Sequence, residues 1–239
     1  MHPVKKGEIT LFSQDSCVYL RDTEVREIIE HLKIGGAEDA PKMGKPVAAR
    51  VNLSSFPSLI YGHASPTNRS KLIYNHDDLA ETFKTSFDFS TAFPALSYKR
   101  LADLMGKRCE IFVLAAHIEE DGTLVLVEEA DEGMATRIPF NQFVDLTAST
   151  RFSPTLSIML CCNSKRYAET LSGTGGFAVG VVDDLPELIA PSLLKRLLKH
   201  IQGRTEIFEI DLKTSLQGFR YEHSESFEFE LYFKGQKIC

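Results

Sequence analysis

Short apolar runs alternate along the chain with amphipathic stretches, and the alternation predicts most of its elements. Cys109–Ala116 (CEIFVLAA), Ser157–Cys162 (SIMLCC) and Phe177–Val182 (FAVGVV) are nearly continuous apolar runs, the pattern of strands buried on both faces. Glu8–Phe12 (EITLF) and Thr123–Glu128 read as further strands, and Phe227–Phe233 alternates as a half-buried strand does. A helix is predicted from Asp22 to Lys33, with Val25, Ile28, Ile29 and Leu32 on one face, Asp22 as N-cap and Gly35-Gly36 as its end. Tyr98–Met105 reads as a helix stopped by Gly106, Ile138–Asp145 as the entry to another, and Arg166–Ser172 as a short one closed by the loop Gly173–Gly176. A long helix is expected from Leu185 to Gln202, with Pro186 in its first turn and Pro191 kinking or restarting it. One more helix is expected over Glu209–Gly218.

Residues 37–94 carry the weakest pattern, broken by Pro41, Pro46, Pro57 and Pro66. Within them Val47–Leu53 and Leu59–Tyr61 are strand-like and Asp77–Phe83 is helix-like. Buried strands alternating with helices predict an α/β fold with a largely parallel central sheet flanked by helices. The 239 residues suit a single domain, with 37–94 as an insertion.

Composition narrows the function classes. Apolar residues make up 43% and charged residues 25%, enough to bury a full core. The net charge of -6, with no basic block, argues against direct nucleic-acid binding. No run of about 18 apolar residues is present, so no membrane-spanning helix is expected, and the chain reads as cytoplasmic. Five cysteines in no framework spacing fit a reducing compartment. With no CxxC pair and no HExxH, neither a metal nor another cofactor is expected.

Two residues stand out on chemistry. In parallel α/β sheets ligands bind beyond the carboxyl ends of the strands. His117 and Cys162 each end a buried run. A thiol attacks a carbonyl as thiolate, and an imidazole is suited to take its proton and return one to the leaving amine. The expected roles are Cys162 as nucleophile and His117 as base. The turn Cys162-Asn163-Ser164 is a candidate source of oxyanion-binding N–H groups. Cys161 competes for the nucleophile's role, but strand alternation lets only one of the two thiols face a shared site. His63, in IYGHAS, is a rival base. Asp183 and Asp184 read either as caps of the following helix or as a pocket for a basic substrate side chain. The acidic turn Glu119–Asp121 reads as solvated, and Gly173-Thr174-Gly175-Gly176 as a connection rather than a phosphate loop.

Taken in order, four blocks resemble the CHAT domains, bacterial cysteine proteases of the caspase-like clan. They are ITLFSQDSCVYLRDTEVREIIEHL (9–32), EIFVLAAHIEEDGTLVLVEE (110–129), LSIMLCCNSKRYAETL (156–171) and FAVGVVDDLPELIAPSLLKRLLKHI (177–201). The second resembles that family's strand ending in His-Gly, and the third its strand ending in L-N-A-C-x-S. The resemblance implies a caspase-like sandwich, a Cys/His dyad of His117 and Cys162, and hydrolysis of peptide bonds in a protein substrate. The dyad residues lie about 45 positions apart, against about 50 in caspases. The resemblance further implies an activating or sensor protein partner in a bacterial defence or stress system. Two departures bear on the site: Ile118 stands where the family has Gly, and the Asn before the family's Cys is replaced. Ile118 therefore keeps a second reading open, an inactive caspase-like interaction module. A nucleotide-sensing α/β domain is the third.

Overall fold

The computed structural model describes residues 49–66, 83–92, 96–129, 134–186, 189–223 and 228–239, all within the compact unit that runs from Ala48 to Cys239. The strand expected at Glu8–Phe12 and the helix at Asp22–Lys33 lie outside the described residues, as does the helix at Asp77–Phe83 apart from Phe83 itself.

The described strands are β1 (Arg50–Asn52), β2 (Ser58–His63), β3 (Asp88–Ala92), β4 (Ile111–Ala115), β5 (His117–Ile118), β6 (Leu124–Val127), β7 (Ala135–Ile138), β8 (Leu156–Leu160), β9 (Phe177–Val181), β10 (Glu206–Phe208), β11 (Phe229–Phe233) and β12 (Gln236–Lys237). The helices are α1 (Tyr98–Met105), α2 (Phe140–Thr150), α3 (Lys165–Ser172), α4 (Ala190–Ile201) and α5 (Glu209–His223). A seven-stranded mixed sheet in the order β12-β11-β9-β8-β4-β2-β3 forms the centre. The pairs β3/β2, β2/β4, β4/β8 and β8/β9 are parallel, whereas β11 joins β9 and β12 joins β11 antiparallel. A three-stranded antiparallel sheet, β5-β6-β7, and the β1/β10 pair stand apart from it. The α/β expectation therefore holds, on a mixed sheet.

Side-chain alternation splits the interior into two cores. Ile111, Val113 and Ala115 of β4, Leu156, Ile158 and Leu160 of β8, and Phe177, Val179 and Val181 of β9 share one cluster with α4 and α5. Leu193, Leu194, Leu197, Leu198 and Ile201 supply the α4 stripe of that cluster, and Leu212, Leu216 and Phe219 the α5 stripe. The other faces of the strands, with Phe112, Leu114, Met159 and Ala178, pack against α1, α2, α3 and β6. Strands that are apolar at every position are needed because both faces are covered.

The expected helix at Leu185–Gln202 is shorter than its pattern. Pro186 instead closes a turn, its carbonyl accepting from the N–H groups of Ile189 (2.9 Å) and Ala190 (3.3 Å). The helix then starts at Ala190 with Pro191 in its first turn, where proline's missing N–H costs nothing. Asp183 and Asp184 thus stand too far upstream to cap it, and that reading is corrected. The strands β3, β7, β10 and β12 carry no pattern strong enough to have been expected. Elsewhere, Tyr98–Met105 is the helix its pattern predicts, and Ser97 caps it by accepting from the Arg100 N–H at 3.3 Å.

Gly180 sets how closely α3 lies on the sheet. A Cβ there would fall 2.9 Å from both Lys165 Cα and Ala168 Cβ, so only glycine admits the helix at this distance. Gly180→Ala is expected to lower stability by about 1–3 kcal/mol, read as a lower urea midpoint with the m-value unchanged.

Candidate active site at the carboxyl edge of the sheet

Two neighbouring parallel strands deliver the dyad candidates. β4 and β8 pair from Ile111↔Leu156 to Ala115↔Leu160. Two residues beyond the last pair, the chains reach His117 and Cys162. His117 opens β5, a strand of the smaller three-stranded sheet, and Cys162 stands in the turn after β8. Cys162 packs against the cluster that holds Ala115 and Leu160. Both His117 and Cys162 are partly exposed, so both reach solvent.

Cys162 lies in the turn after β8 rather than in the strand expected to end with it. Its neighbour Cys161 takes the opposite face. Cys161 is 1% exposed within the second core, and its thiol donates to the Leu114 carbonyl at 3.4 Å. Burial pushes the Cys161 thiol far above the usual cysteine range. Of the two thiols, Cys162 is thus the one that reaches the surface.

Ile118 obeys the same rule. It pairs with Leu124 and is 6% exposed, inside the second core. Its side chain is spent on packing, on the opposite side of β5 from His117.

The hairpin that carries His117 is tied to the helix that follows Cys162. Arg166 Nη2 donates to the carbonyls of Gly122 (2.6 Å) and Asp121 (3.1 Å), and Tyr167 Oη donates to the same Gly122 carbonyl at 2.7 Å. The Arg166 guanidinium also lies 4.3 Å from the Phe140 ring centroid. Gly122 adopts φ +80, and a Cβ there would collide with Arg166. The acidic turn expected to be merely solvated is therefore a fastening point. Asp121 accepts from the Thr123 N–H at 2.8 Å, and Glu119 pairs with Arg137.

One N–H of the turn expected to offer oxyanion donors is already engaged. Asn163, at φ 55, gives its N–H to the Asp183 carbonyl at 3.1 Å. Ser164 is fully buried; its Oγ donates to the Met159 carbonyl (3.3 Å) and accepts from the Val181 N–H (3.0 Å). Ser164 is a tie between β8 and β9 and does not line a site, a correction that follows from its burial.

The segment after β9 reaches over the nucleophile candidate. The Leu185 N–H donates to Cys162 Sγ at 3.3 Å. Burial pushes the Cys162 thiol up; the N–H groups of Leu185 and of Cys162 itself oppose this, and the charge of Asp184 adds to it. Asp183 and Asp184 are both exposed. His63, the rival base, ends β2 opposite Ala115, one strand pair deeper than His117. It is 2% exposed and stacks on Tyr61 with ring centroids 6.1 Å apart.

Among the described residues no group of three or more His, Cys, Asp or Glu is placed to hold a metal ion. No described helix is long and apolar enough to cross a membrane.

Brief alkylation of the native protein is expected to label Cys162 well ahead of Cys161, with Cys161 modified only after unfolding; peptide mass spectrometry before and after urea checks this. No protein-family model matches the chain, and no curated protein matches it.

Proposed function

We propose that the chain is a cysteine endopeptidase of the caspase-like, CHAT type, with Cys162 as nucleophile and His117 as base. The observation that carries the reading is the shared register of β4 and β8, whose chains run on from their last pair, Ala115↔Leu160, to a histidine and a cysteine two residues beyond. The order of strands and helices supports the finer reading of a caspase-like sandwich.

In this reaction the Cys162 thiolate attacks the scissile carbonyl after its proton passes to the His117 imidazole. The imidazolium then protonates the leaving amine, and water hydrolyses the thioester with His117 again as base. Asp184, exposed beside the thiol, is the candidate contact for a basic side chain of the substrate. The oxyanion donors would be backbone N–H groups of the turn after β8, among them that of Asn163 once its bond to Asp183 is released. Activation by a protein partner fits a site whose donors are internally occupied at rest.

Burial of Ile118 in the second core bears on the inactive-module reading, which rested on that side chain crowding the site. One consideration still favours it: burial raises the Cys162 thiol above the usual cysteine range, which favours its protonated form.

The test uses a peptide library and a peptidyl chloromethyl ketone that alkylates activated cysteines. Cys162→Ser and His117→Ala are each expected to lower hydrolysis on the order of a thousandfold or more. The ketone is expected to form its adduct on Cys162 of the wild type and not of His117→Ala. Equal trapping of Cys162 with and without His117 would reject the dyad.

A further inference from the structure

At the amino ends of β4 and β8, away from His117 and Cys162, the C-termini of α1 and α2 meet the segments that enter the two strands. Between them lies a cavity of about 300 Å³. Its floor is apolar: Met105, Cys109 and Phe152 are each at most 5% exposed. Its rim carries Lys107, Arg108 and Arg151, all three exposed. Among the described residues, none of these cations takes part in an ion pair. The carboxylate two residues after Arg108, that of Glu110, is already engaged by Ser54 and Ser58.

Helix C-termini attract cations, and that accounts for part of this charge. Each terminus carries only about half a negative charge. The last carbonyls are also met by backbone N–H groups, Gly106 on Ala102 and Lys107 on Leu104 in α1, Arg151 on Ala148 and Phe152 on Thr147 in α2. Three full positive charges exceed that need, in a chain whose net charge is -6. Arg151 stands at φ 52, the left-handed cap position that favours glycine. An arginine is thus kept there against the backbone's preference. The hydroxyl protons at the cavity are spent, that of Thr150 on the Leu146 carbonyl (2.8 Å) and that of Ser153 on the Thr174 carbonyl (3.0 Å). Recognition at this cavity therefore falls to the three cations.

We propose that the cavity is a binding site for a small phosphate-bearing anion, held by Lys107, Arg108 and Arg151. A guanidinium pairs with two phosphate oxygens at once, and the lysine adds a point charge. The volume lies at the lower end of small-molecule sites, which suits a compact group such as a diphosphate. Arg108 lies three residues before β4 and Arg151 five before β8. A bound anion bridges the entries to the two strands and stabilises the folded chain by mass action. The site stands or falls independently of the roles given to His117 and Cys162.

The experiment is calorimetric titration of the full chain with inorganic pyrophosphate at low salt, with the thermal unfolding midpoint measured alongside. Saturable binding at one site that raises the midpoint is expected. Arg108→Gln and Arg151→Gly, the second of which keeps the left-handed turn, are each expected to weaken binding about tenfold or more, the loss of one charge-assisted contact. Arg220→Gln removes an exposed cation on α5 and is expected to leave binding unchanged. Lys107→Gln stands in for either site variant that does not fold. The site is overturned by the absence of saturable binding at millimolar pyrophosphate, by folded site variants that bind as tightly as wild type, or by an equal loss in Arg220→Gln. A single-stranded oligonucleotide is titrated in parallel. Its binding through Arg108 and Arg151 in a protein that takes no pyrophosphate overturns the small-ligand site in favour of a surface for an extended polyanion.

Discussion

β4 and β8 run parallel, in register from Ile111↔Leu156 to Ala115↔Leu160, with every residue of both strands buried. A slip of one residue would send Ala115 and Leu160 to opposite faces and would set His117 level with Cys161 or Asn163 rather than with Cys162. Both faces are apolar, so polarity alone does not oppose that slip; the fit of these side chains into two different cores does. The positions of His117 and Cys162 are thus a consequence of core packing.

Around this pair, the molecule fastens what the strands deliver. Ser164 joins β8 to β9 through the Val181 N–H. Arg166 and Tyr167, one turn further along α3, hold the Gly122 carbonyl and with it the hairpin on which His117 sits. Gly180 lets α3 lie close against β9. One short helix thus connects the turn bearing the cysteine with the hairpin bearing the histidine, so a disturbance of either end of α3 is felt by both. The segment after β9 is held to the same turn by the Asn163 N–H, by the Leu185 N–H on the Cys162 sulfur and by the buried Leu185 side chain.

The two vicinal cysteines show how chemistry follows from orientation. Cys161 and Cys162 are identical in composition and adjacent in the chain. One is sealed in the second core with its proton given to the Leu114 carbonyl, and the other is partly exposed at the edge of the first. Burial pushes both thiols up, yet only Cys162 lies within reach of groups that solvent or a ligand can move.

Much of this was legible in the chain itself. The apolar runs at 109–116, 157–162 and 177–182 gave the central strands, because a strand covered on both faces must be apolar throughout. Tyr98–Met105 read as a helix stopped by Gly106, and the structure adds Ser97 as its cap. His117 and Cys162 were legible as strand-end residues, and alternation already implied that Cys161 and Cys162 diverge. Tertiary structure alone decided the rest. That β4 and β8 are neighbours is a long-range pairing that no local pattern encodes. The burial of Ser164, the fastening of the acidic turn by Arg166 and the bond from the Leu185 N–H to the Cys162 sulfur each join residues distant in sequence. The shortened helix at Ala190 arose where the Pro186 turn overrode an amphipathic pattern. Local periodicity determines what each segment is able to bury; only the folded chain determines what it is buried against.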